Sequence, residues 1–316
     1  MNSEIAIKTQ NLTKAFGHNV AVDDLNLEVK RGELFGLVGP DGAGKTTIMR
    51  LLAAIMEPTS GDAWVAGYSI IKEGESIKEK IGYMSQRFGL YEDLTVLENI
   101  AFYADLYGVP QRERPPRMER LLGFSNLTPF KDRLAGKLSG GMKQKLGLAC
   151  ALIHTPKVLL LDEPTNGVDP VSRRDFWKIL YDLLKEDITV FVSTAYLDEA
   201  ERCTRIGLIH KGMILMVEEP STIRESLRTP MIEVSSPKVR TARDVISSID
   251  GVNSVSMYGD RLHIGMKERS ITNQVLAVLS EHDVEVSGYR EIIPSLEDVF
   301  ITLVEKETGK RVSDGG

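Results

Sequence analysis

Short apolar runs alternate with helical segments along the first two thirds of the chain. Residues 34–38 are apolar throughout, and such a run predicts a strand that is buried on both faces. A second apolar run, at 158–161, ends in the carboxylates Asp162 and Glu163. Because strands that alternate with helices form parallel sheets, these patterns predict an α/β fold.

The other elements of this region are predicted in the same way. Apolar and polar residues alternate near Ile5 and again near Leu25, which predicts half-buried strands at the start of the chain. Further on, the patterns predict helices over 46–56, 92–125, 141–154 and 170–186, and strands over 190–193 and 206–209. We expect the helical region 92–125 to be interrupted at Gly108-Val109-Pro110 and at Pro115-Pro116.

The composition changes near residue 220, where prolines punctuate the chain. Weaker patterns beyond it predict strands over 231–235, 252–257, 261–266 and 284–290, and helices over 240–249, 270–282 and 296–306. We therefore predict a large domain over residues 1–225, a small α+β domain over 226–308 and a flexible tail over 309–316. A helical subdomain of the large domain is expected at about 87–155.

Composition and charge exclude several classes of protein. The 316 residues carry a formal net charge of −6, which argues against a protein that wraps nucleic acid. Cys150 and Cys203 are the two cysteines, too few for a disulfide framework. No apolar run approaches the roughly 18 residues of a membrane span, and the first residues lack a secretory signal. We expect a soluble intracellular chain that reaches a membrane only through a partner.

A glycine-rich loop follows the first buried strand. It reads Gly39-Pro40-Asp41-Gly42-Ala43-Gly44-Lys45-Thr46 and fits the pattern G-x-x-x-x-G-K-[ST], in which backbone N–H groups surround phosphate oxygens. Lys45 supplies a point charge for the phosphates, and the Thr46 hydroxyl can bind Mg²⁺. Thr46 and Thr47 open a helix whose N-terminus favours anions. The alternative is a glycine-rich turn with a solvated lysine.

The second buried strand ends in a pair of carboxylates. Ligands of open α/β sheets lie beyond the carboxyl ends of the strands. There Asp162 can hold Mg²⁺ through water, and Glu163 can polarise an attacking water molecule. Two solvated charges at a strand end are the alternative.

Between these motifs stands Leu138-Ser139-Gly140-Gly141-Met142. This segment resembles the signature sequence of the ATP-binding cassette (ABC) ATPases, and the order of the three motifs matches that family. The resemblance covers about residues 4–225 and implies a P-loop NTPase fold with a parallel-sheet core, an antiparallel β edge and a helical subdomain. A serine followed by glycines at a helix start is a second anion-binding end, although a plain N-cap is the simpler alternative.

The resemblance implies further roles. Phe16 matches the aromatic residue that stacks on adenine, with a core phenylalanine as the alternative. Gln86 matches the glutamine that touches Mg²⁺ and relays to the membrane partner, and residues 86–100 would border that partner. Asp169 matches the residue that reaches the opposing subunit. ATP on one phosphate loop would be enclosed by Ser139, Gly140 and Gly141 of a second ATPase subunit, identical or different.

Two positions depart from the family pattern. Ala195 stands where the family has its switch histidine, and His210 is no evident replacement. Because alanine can neither donate nor accept a side-chain hydrogen bond, we expect hydrolysis to be lowered but ATP binding to be intact. Asp41 stands where the family usually has asparagine, and an outward-facing carboxylate would be tolerated there.

The C-terminal region resembles the small accessory domain of ABC drug and antibiotic export ATPases. Residues 294–300 look like its closing motif, with Ser295 as a helix cap. The apolar stripe of the last helix either packs on its own sheet or contacts a second subunit. The resemblance implies a Mg²⁺-dependent ATPase subunit of an exporter, held at the cytoplasmic face of the membrane by a multi-span permease.

Two other functions stay open from the sequence. A regulatory ATP-binding subunit with little catalysis is indicated by Ala195, and it would be paired with a complete ATPase. A soluble ABC ATPase of translation or DNA repair is disfavoured, because such proteins tend to be tandem or to carry long coiled-coil insertions, and this chain shows neither. We do not expect this sequence to identify the cargo, because the residues that contact the cargo would lie in the permease.

Overall fold

The computed structural model describes residues 4–87, 89–227 and 229–314, with side chains described as far as Glu307. Within it the chain divides into two compact units, Met1–Val217 and Glu218–Gly316. The predicted domain boundary at residue 225 falls inside the second unit, near the end of the helix Pro220–Ser226. Part of the predicted flexible tail, 309–316, lies outside the described residues.

The first unit contains two sheets. Their strands are β1 (Ile5–Phe16), β2 (Asn19–Lys30), β3 (Leu34–Val38), β4 (Ser60–Val65), β5 (Tyr68–Ser69), β6 (Ile81–Met84), β7 (Val158–Asp162), β8 (Thr189–Thr194), β9 (Arg205–His210) and β10 (Met213–Glu218). One sheet has the order β2-β1-β4-β5 and antiparallel pairing, and the other has the order β10-β9-β3-β8-β7-β6. In the second sheet, the pairs β9-β3, β3-β8, β8-β7 and β7-β6 are parallel.

The helices of the first unit lie between these strands in the chain. They are α1 (Lys45–Leu52), α2 (Gly74–Lys78), α3 (Val96–Leu106), α4 (Arg114–Phe124), α5 (Gly140–Leu152), α6 (Pro170–Leu184) and α7 (Leu197–Ala200), with short 3₁₀ turns at Gln111–Glu113, Thr128–Phe130 and Ala135–Lys137. The predicted α/β fold, with its parallel core and antiparallel β edge, is confirmed.

One apolar core joins the two sheets through α1. Its buried side chains include Ile7 of β1, Leu51 of α1, and Phe35 and Phe191 of the parallel sheet. The rings of Phe35 and Phe191 stack with their centroids 5.3 Å apart. Because α1 is packed in this core, the loop that precedes it is held at the carboxyl end of β3.

The helical region predicted over 92–125 differs from the structure in one respect. Pro115 and Pro116 do not interrupt a helix but lie in the first turn of α4. Proline is tolerated there because the first N–H groups of a helix have no intrahelical acceptor. At the start of α3, Thr95 and Glu98 exchange hydrogen bonds with each other's backbone N–H groups, at 3.2 and 2.8 Å, in a capping box.

The second unit is a small α+β fold. Its elements are α8 (Pro220–Ser226), β11 (Met231–Ser235), α9 (Val239–Ile246), β12 (Val252–Tyr258), β13 (Arg261–Met266), α10 (Ile271–Glu281), β14 (Gly288–Ile292) and α11 (Leu296–Asp314). The sheet order is β12-β13-β11-β14 with antiparallel pairing. The strand predicted over 284–290 is thus wrong in its bounds. Val284 is an apolar residue of the buried core but lies outside β14. Its apolar side chain therefore reflects burial and not membership of a strand.

Side chains of β11 alternate between an apolar and a charged face of this sheet. Ile232 and Val234 belong to the core that packs under α9 and α10. Glu233, on the opposite face, accepts a hydrogen bond of 2.9 Å from Arg290 Nε and lies 3.4 Å from His263 Nε2. The hydrogen bond from Arg290 lowers the pKa of Glu233, despite partial burial.

The charged face connects the sheet to α11. His263 Nδ1 lies 3.1 Å from both carboxylate oxygens of Asp298, which is buried in the first turn of the helix. Ser295 caps the same turn, because its hydroxyl accepts from Asp298 N at 3.2 Å while its own N–H donates to Asp298 Oδ2 at 2.9 Å. Leu296 and Val299, which belong to the apolar stripe of this helix, are buried within the chain.

Among the described residues, none of the helices has both the length and the apolar content that crossing a membrane requires. Cys150 and Cys203 are buried free thiols. Burial raises the pKa of both thiols above their ordinary range.

We predict that Ser295→Ala lowers the free energy of unfolding by about 1 kcal/mol, because the first turn of α11 loses its cap. Urea titration of the full chain, followed by circular dichroism, measures the change. Ser280→Ala is the matched control, since Ser280 is an exposed residue within α10. Equal stability of the Ser295 variant and the wild type would contradict a capping role.

Candidate active site

The glycine-rich loop joins β3 to α1 at the carboxyl end of the parallel sheet. Gly44 adopts a φ of 108° as the N-cap of α1. A Cβ at this position would lie 2.3 Å from the carbonyl oxygen of Ala21. Both the backbone conformation and the close approach therefore require glycine. Ala43 is buried, and its carbonyl accepts a hydrogen bond of 2.9 Å from Gly212 N, which fixes the loop from its other side.

Lys45 is the electrostatic centre of this loop. Its side chain is only 4% exposed. Its ammonium group donates to the carbonyl oxygens of Gly39 and Pro40 at 2.8 and 3.0 Å, and it lies 3.0 Å from Glu163 Oε1. A buried ammonium needs such partners because desolvation of an unpaired charge is costly. Asp41 contributes little, since its side chain is 94% exposed and 3.9 Å away.

Glu163 follows β7 in a strained backbone conformation, with a φ of 48°. Such outliers are typical of functional positions. Its N–H is held by the hydroxyl and the carbonyl oxygen of Ser193, at 3.0 and 3.2 Å. On the side chain, Oε2 accepts from Gln86 Nε2 at 3.0 Å and from Asn166 Nδ2 at 3.3 Å. Three side chains, those of Lys45, Gln86 and Asn166, thus contact this one carboxylate.

Asp162 is the last residue of β7 and is 1% exposed. Its Oδ1 accepts a hydrogen bond of 2.7 Å from the Ser193 hydroxyl. Its Oδ2 is buried and makes no hydrogen bond of ordinary geometry within the described part of the chain. Burial raises the pKa of Asp162, the hydroxyls of Ser193 and Thr46 and the charge of Lys45 oppose the rise, and Glu163 adds to it.

A cavity of about 460 Å³ brings most of the predicted residues together. It is lined by Phe16, Asn19, Ala21, Asp41, Gly42, Gly44, Lys45, Thr46, Thr47, Gln86 and Glu163. Phe16 is 48% exposed and lies at the end of β1, so the alternative of a core phenylalanine is wrong. Asn19 and Ala21 were not predicted, because nothing in the sequence indicates that the start of β2 passes beside the loop.

Gly39, Ala43 and Asp162 lie close to the lining residues in the chain but do not line the cavity themselves. A separate group, Ser139, Gly140, Gly141 and Asp169, does not line it either. Ser139 caps α5, where its hydroxyl accepts from Met142 N at 3.3 Å. Asp169 caps α6, and hydrogen bonds from Ser172 N and Val171 N lower its pKa. Gly141 allows the starts of α5 and α6 to approach closely, because a Cβ at this position would lie 2.4 Å from Ser172 Cβ.

Ser139 and Gly140 are exposed at the start of α5. Around Gly140 a Cβ would meet nothing within 4 Å, in contrast to Gly141. The two N-termini of α5 and α6 therefore lie side by side, with an exposed Ser139-Gly140 edge next to the exposed Asp169. The exposed N–H groups at the start of α5 favour an anion, whereas those at the start of α6 already donate to the Asp169 carboxylate.

Comparison with known proteins adds the family context. Residues 22–166 match the family model described as ABC transporter, and residues 219–304 match the C-terminal domain of DrrA1-3-like ATP-binding proteins. The chain is 42% identical over 286 residues to the probable multidrug ABC transporter ATP-binding protein YbhF of Escherichia coli K12, covering 90% of this chain. It spans only 49% of that relative's length.

Two relatives match nearly end to end. The bacitracin transport ATP-binding protein BcrA of Bacillus licheniformis is 32% identical, over 94% of this chain and 97% of that protein. The linearmycin resistance ATP-binding protein LnrL of Bacillus subtilis is 32% identical, over 98% and 100%. Among solved structures, the dimeric, ADP- and phosphate-bound post-hydrolysis state of the ATP-binding cassette MJ0796 gives a TM-score of 0.62 at 27% identity, covering 67% of this chain and 98% of that one.

We predict that Asp162→Asn raises the free energy of unfolding at neutral pH by about 1 kcal/mol, because the neutral amide avoids the cost of burying a charged carboxylate. Because burial raises the pKa of Asp162, the folded protein holds this proton to a higher pH than the unfolded chain does. The wild type therefore gains stability as the pH falls through the folded pKa, and its deficit relative to the variant shrinks.

Urea titrations between pH 5 and 8, without nucleotide, measure this difference. Asp182→Asn is the matched control, because Asp182 is a solvent-exposed residue paired with Lys185. A variant that is less stable than the wild type at neutral pH would contradict the stated cost of burying Asp162.

Proposed function

The chain belongs to the ABC transporter ATPase family, and we propose that it binds and hydrolyses ATP to power a membrane exporter. The main observation behind this proposal is that one cavity is lined by the glycine-rich loop, the buried Lys45 and Glu163, whose backbone is strained. The relatives named for multidrug, bacitracin and linearmycin transport or resistance support an export function of the drug or antibiotic kind.

ATP binding is proposed at the cavity of the phosphate loop. The triphosphate would lie on backbone N–H groups of residues 41–46, with Lys45 neutralising its charge and Thr47 at the helix start. Phe16, exposed at the rim, offers its ring to the adenine base. Asp41 points outward into solvent, which limits its repulsion of the phosphates.

Mg²⁺ is proposed beside Asp162. The buried Oδ2 of Asp162, which makes no ordinary hydrogen bond among the described residues, is an atom to which a cation or its bound water fits. Thr46 and Gln86 would complete the protein ligands. Within the described chain no cluster of three or more His, Cys, Asp or Glu residues could hold a metal, as expected for Mg²⁺ that relies on substrate phosphates. When bound, Mg²⁺ supplies charge neutralisation at the phosphates.

Hydrolysis is proposed to depend on Glu163. Its carboxylate orients and polarises the attacking water, while Lys45 stabilises the charge that develops on the phosphoryl oxygens. Gln86 touches Glu163 directly at 3.0 Å. This contact supports a role for Gln86 in reporting the state of the site to a partner, because the chain immediately after it leads to α3.

A second ATPase subunit is proposed to complete the site. Ser139, Gly140, Gly141 and Asp169 form a separate group of helix starts that does not line the cavity of the phosphate loop. These exposed helix starts, which do not line the cavity of the phosphate loop, are explained if they enclose the nucleotide of an opposing subunit. The dimeric state of the related cassette MJ0796 supports this arrangement, and the second subunit is either identical or different.

The permease is proposed to contact the surface around α3. Tyr91, Phe102 and Leu106 are large apolar or aromatic side chains that are exposed there, and the rings of Tyr91 and Phe102 lie 4.5 Å apart. Of the residues first expected at this surface, Val96 is buried. Such a patch is typical of an interaction surface. It would hold the chain at the cytoplasmic face of the membrane without any nucleic-acid partner.

A regulatory ATP-binding subunit with little catalysis is the second candidate. Ala195 favours it, because this exposed residue follows β8 at the edge of the site and offers no hydrogen-bonding side chain. The complete set of loop, lysine and carboxylates favours the catalytic function.

We predict that Glu163→Gln lowers ATP turnover by at least about 100-fold while ATP still binds, because the amide cannot act as a base but keeps the shape of the side chain. Phosphate release and equilibrium binding of a fluorescent ATP analogue measure the two effects. Glu119→Gln, on the exposed face of α4, is the matched control. Turnover that survives in the Glu163 variant would exclude the proposed role.

We predict that Ala195→His raises ATP turnover severalfold, since an imidazole restores a donor beside the phosphoryl group. The measurement is the turnover number at saturating MgATP. Identical turnover before and after the substitution would show that Ala195 does not limit hydrolysis.

A further inference from the structure

The residue after Ala195 carries a hydroxyl that is connected to Glu163. Tyr196 is 39% exposed, and its hydroxyl donates to Asn166 Oδ1 at 3.5 Å. The amide of the same Asn166 donates from Nδ2 to Glu163 Oε2 at 3.3 Å. The two hydrogen bonds are consistent in direction, because the tyrosine hydroxyl donates to the amide oxygen of Asn166 and the amide nitrogen donates to the Glu163 carboxylate.

The ring of Tyr196 is held in place from behind. The Arg173 guanidinium lies over it, 4.8 Å from the ring centroid, within the range of a cation–π contact. Arg173 is itself held by the buried Glu199, at 3.4 Å. The hydroxyls of Thr165 and Thr194 both donate to Glu199. The guanidinium that lies over the Tyr196 ring is thus paired with a buried carboxylate.

The other contacts of Glu163 are shared with ATP or with the partner. Lys45 lies 3.0 Å from Oε1, but its charge is the one that a bound phosphate would attract. Gln86 holds Oε2 at 3.0 Å, yet it lies in the segment that leads to the exposed surface of α3. Asn166 is the contact of Glu163 that depends on neither ATP nor the partner. Tyr196 orients the amide of Asn166.

We propose that Tyr196, acting through Asn166, is a positioning residue that keeps Glu163 aligned for water activation in a site whose switch position is alanine. This inference rests on the proposed ATPase function. Hydrogen bonds around an active site are often long before the substrate binds and shorten in the reacting complex. The loss of an ordinary hydrogen bond, such as the one from Tyr196 to Asn166, changes a rate by up to about tenfold.

The test compares variants of the full chain in steady-state MgATP hydrolysis. Tyr196→Phe removes the hydroxyl but keeps the ring under Arg173, and we expect about a tenfold lower kcat with an unchanged KM for ATP. Asn166→Ala is expected to cause the same loss, and the double variant no further loss. Tyr181→Phe is the matched control, because the Tyr181 hydroxyl donates to the Arg202 carbonyl oxygen instead.

The decisive comparison repeats Tyr196→Phe in the Ala195→His background. An imidazole that takes over the alignment makes the tyrosine hydroxyl dispensable, so we expect the tenfold loss to shrink to less than about twofold. An equal loss in both backgrounds, an unchanged kcat, or a raised KM with unchanged kcat would each overturn the proposal. If the wild type shows no more turnover than Glu163→Gln, the proposed ATPase function fails and this inference falls with it.

Discussion

The burial of one ammonium group sets the structure of the site. Lys45 is almost completely removed from solvent, and the cost of desolvation is offset by two loop carbonyl groups and by Glu163. The carbonyl groups require the curled backbone between β3 and α1, which in turn requires glycine at position 44. The carboxylate requires that β7 end beside this loop. The parallel order of the central sheet satisfies that requirement, since β8 is the single strand between β3 and β7.

The same constraint explains the division of the predicted residues into two groups. The ends of β3 and β7 lie beside Lys45. Ser139 and Asp169 instead start α5 and α6 and do not line the cavity of the phosphate loop. Gly141 allows these helix starts to approach each other because a methyl group would collide with Ser172. The proposed closure of two subunits over ATP would use both groups.

Much of this could be predicted from the sequence, because the signals are local. Apolar runs followed by a glycine loop or by carboxylates identified β3 and β7, and the motif spacing identified Lys45, Asp162 and Glu163. Side-chain partners across the fold could not be predicted. The contacts of Asn166 with Glu163 and Tyr196 exist only because the ends of β7 and β8 are adjacent. In the second unit, the apolar residues near the start of 284–290 are buried in the core but do not pair with another strand. The predicted strand was therefore placed too early in the chain.

The central claim is that the chain hydrolyses ATP with Mg²⁺ and does not merely bind it. Release of inorganic phosphate by the full chain, with and without Mg²⁺, tests this most directly when the occupancy of the site by ATP is measured in parallel. The account predicts repeated turnovers that require Mg²⁺. Saturable ATP binding without phosphate release beyond one turnover would contradict it and would favour the regulatory subunit.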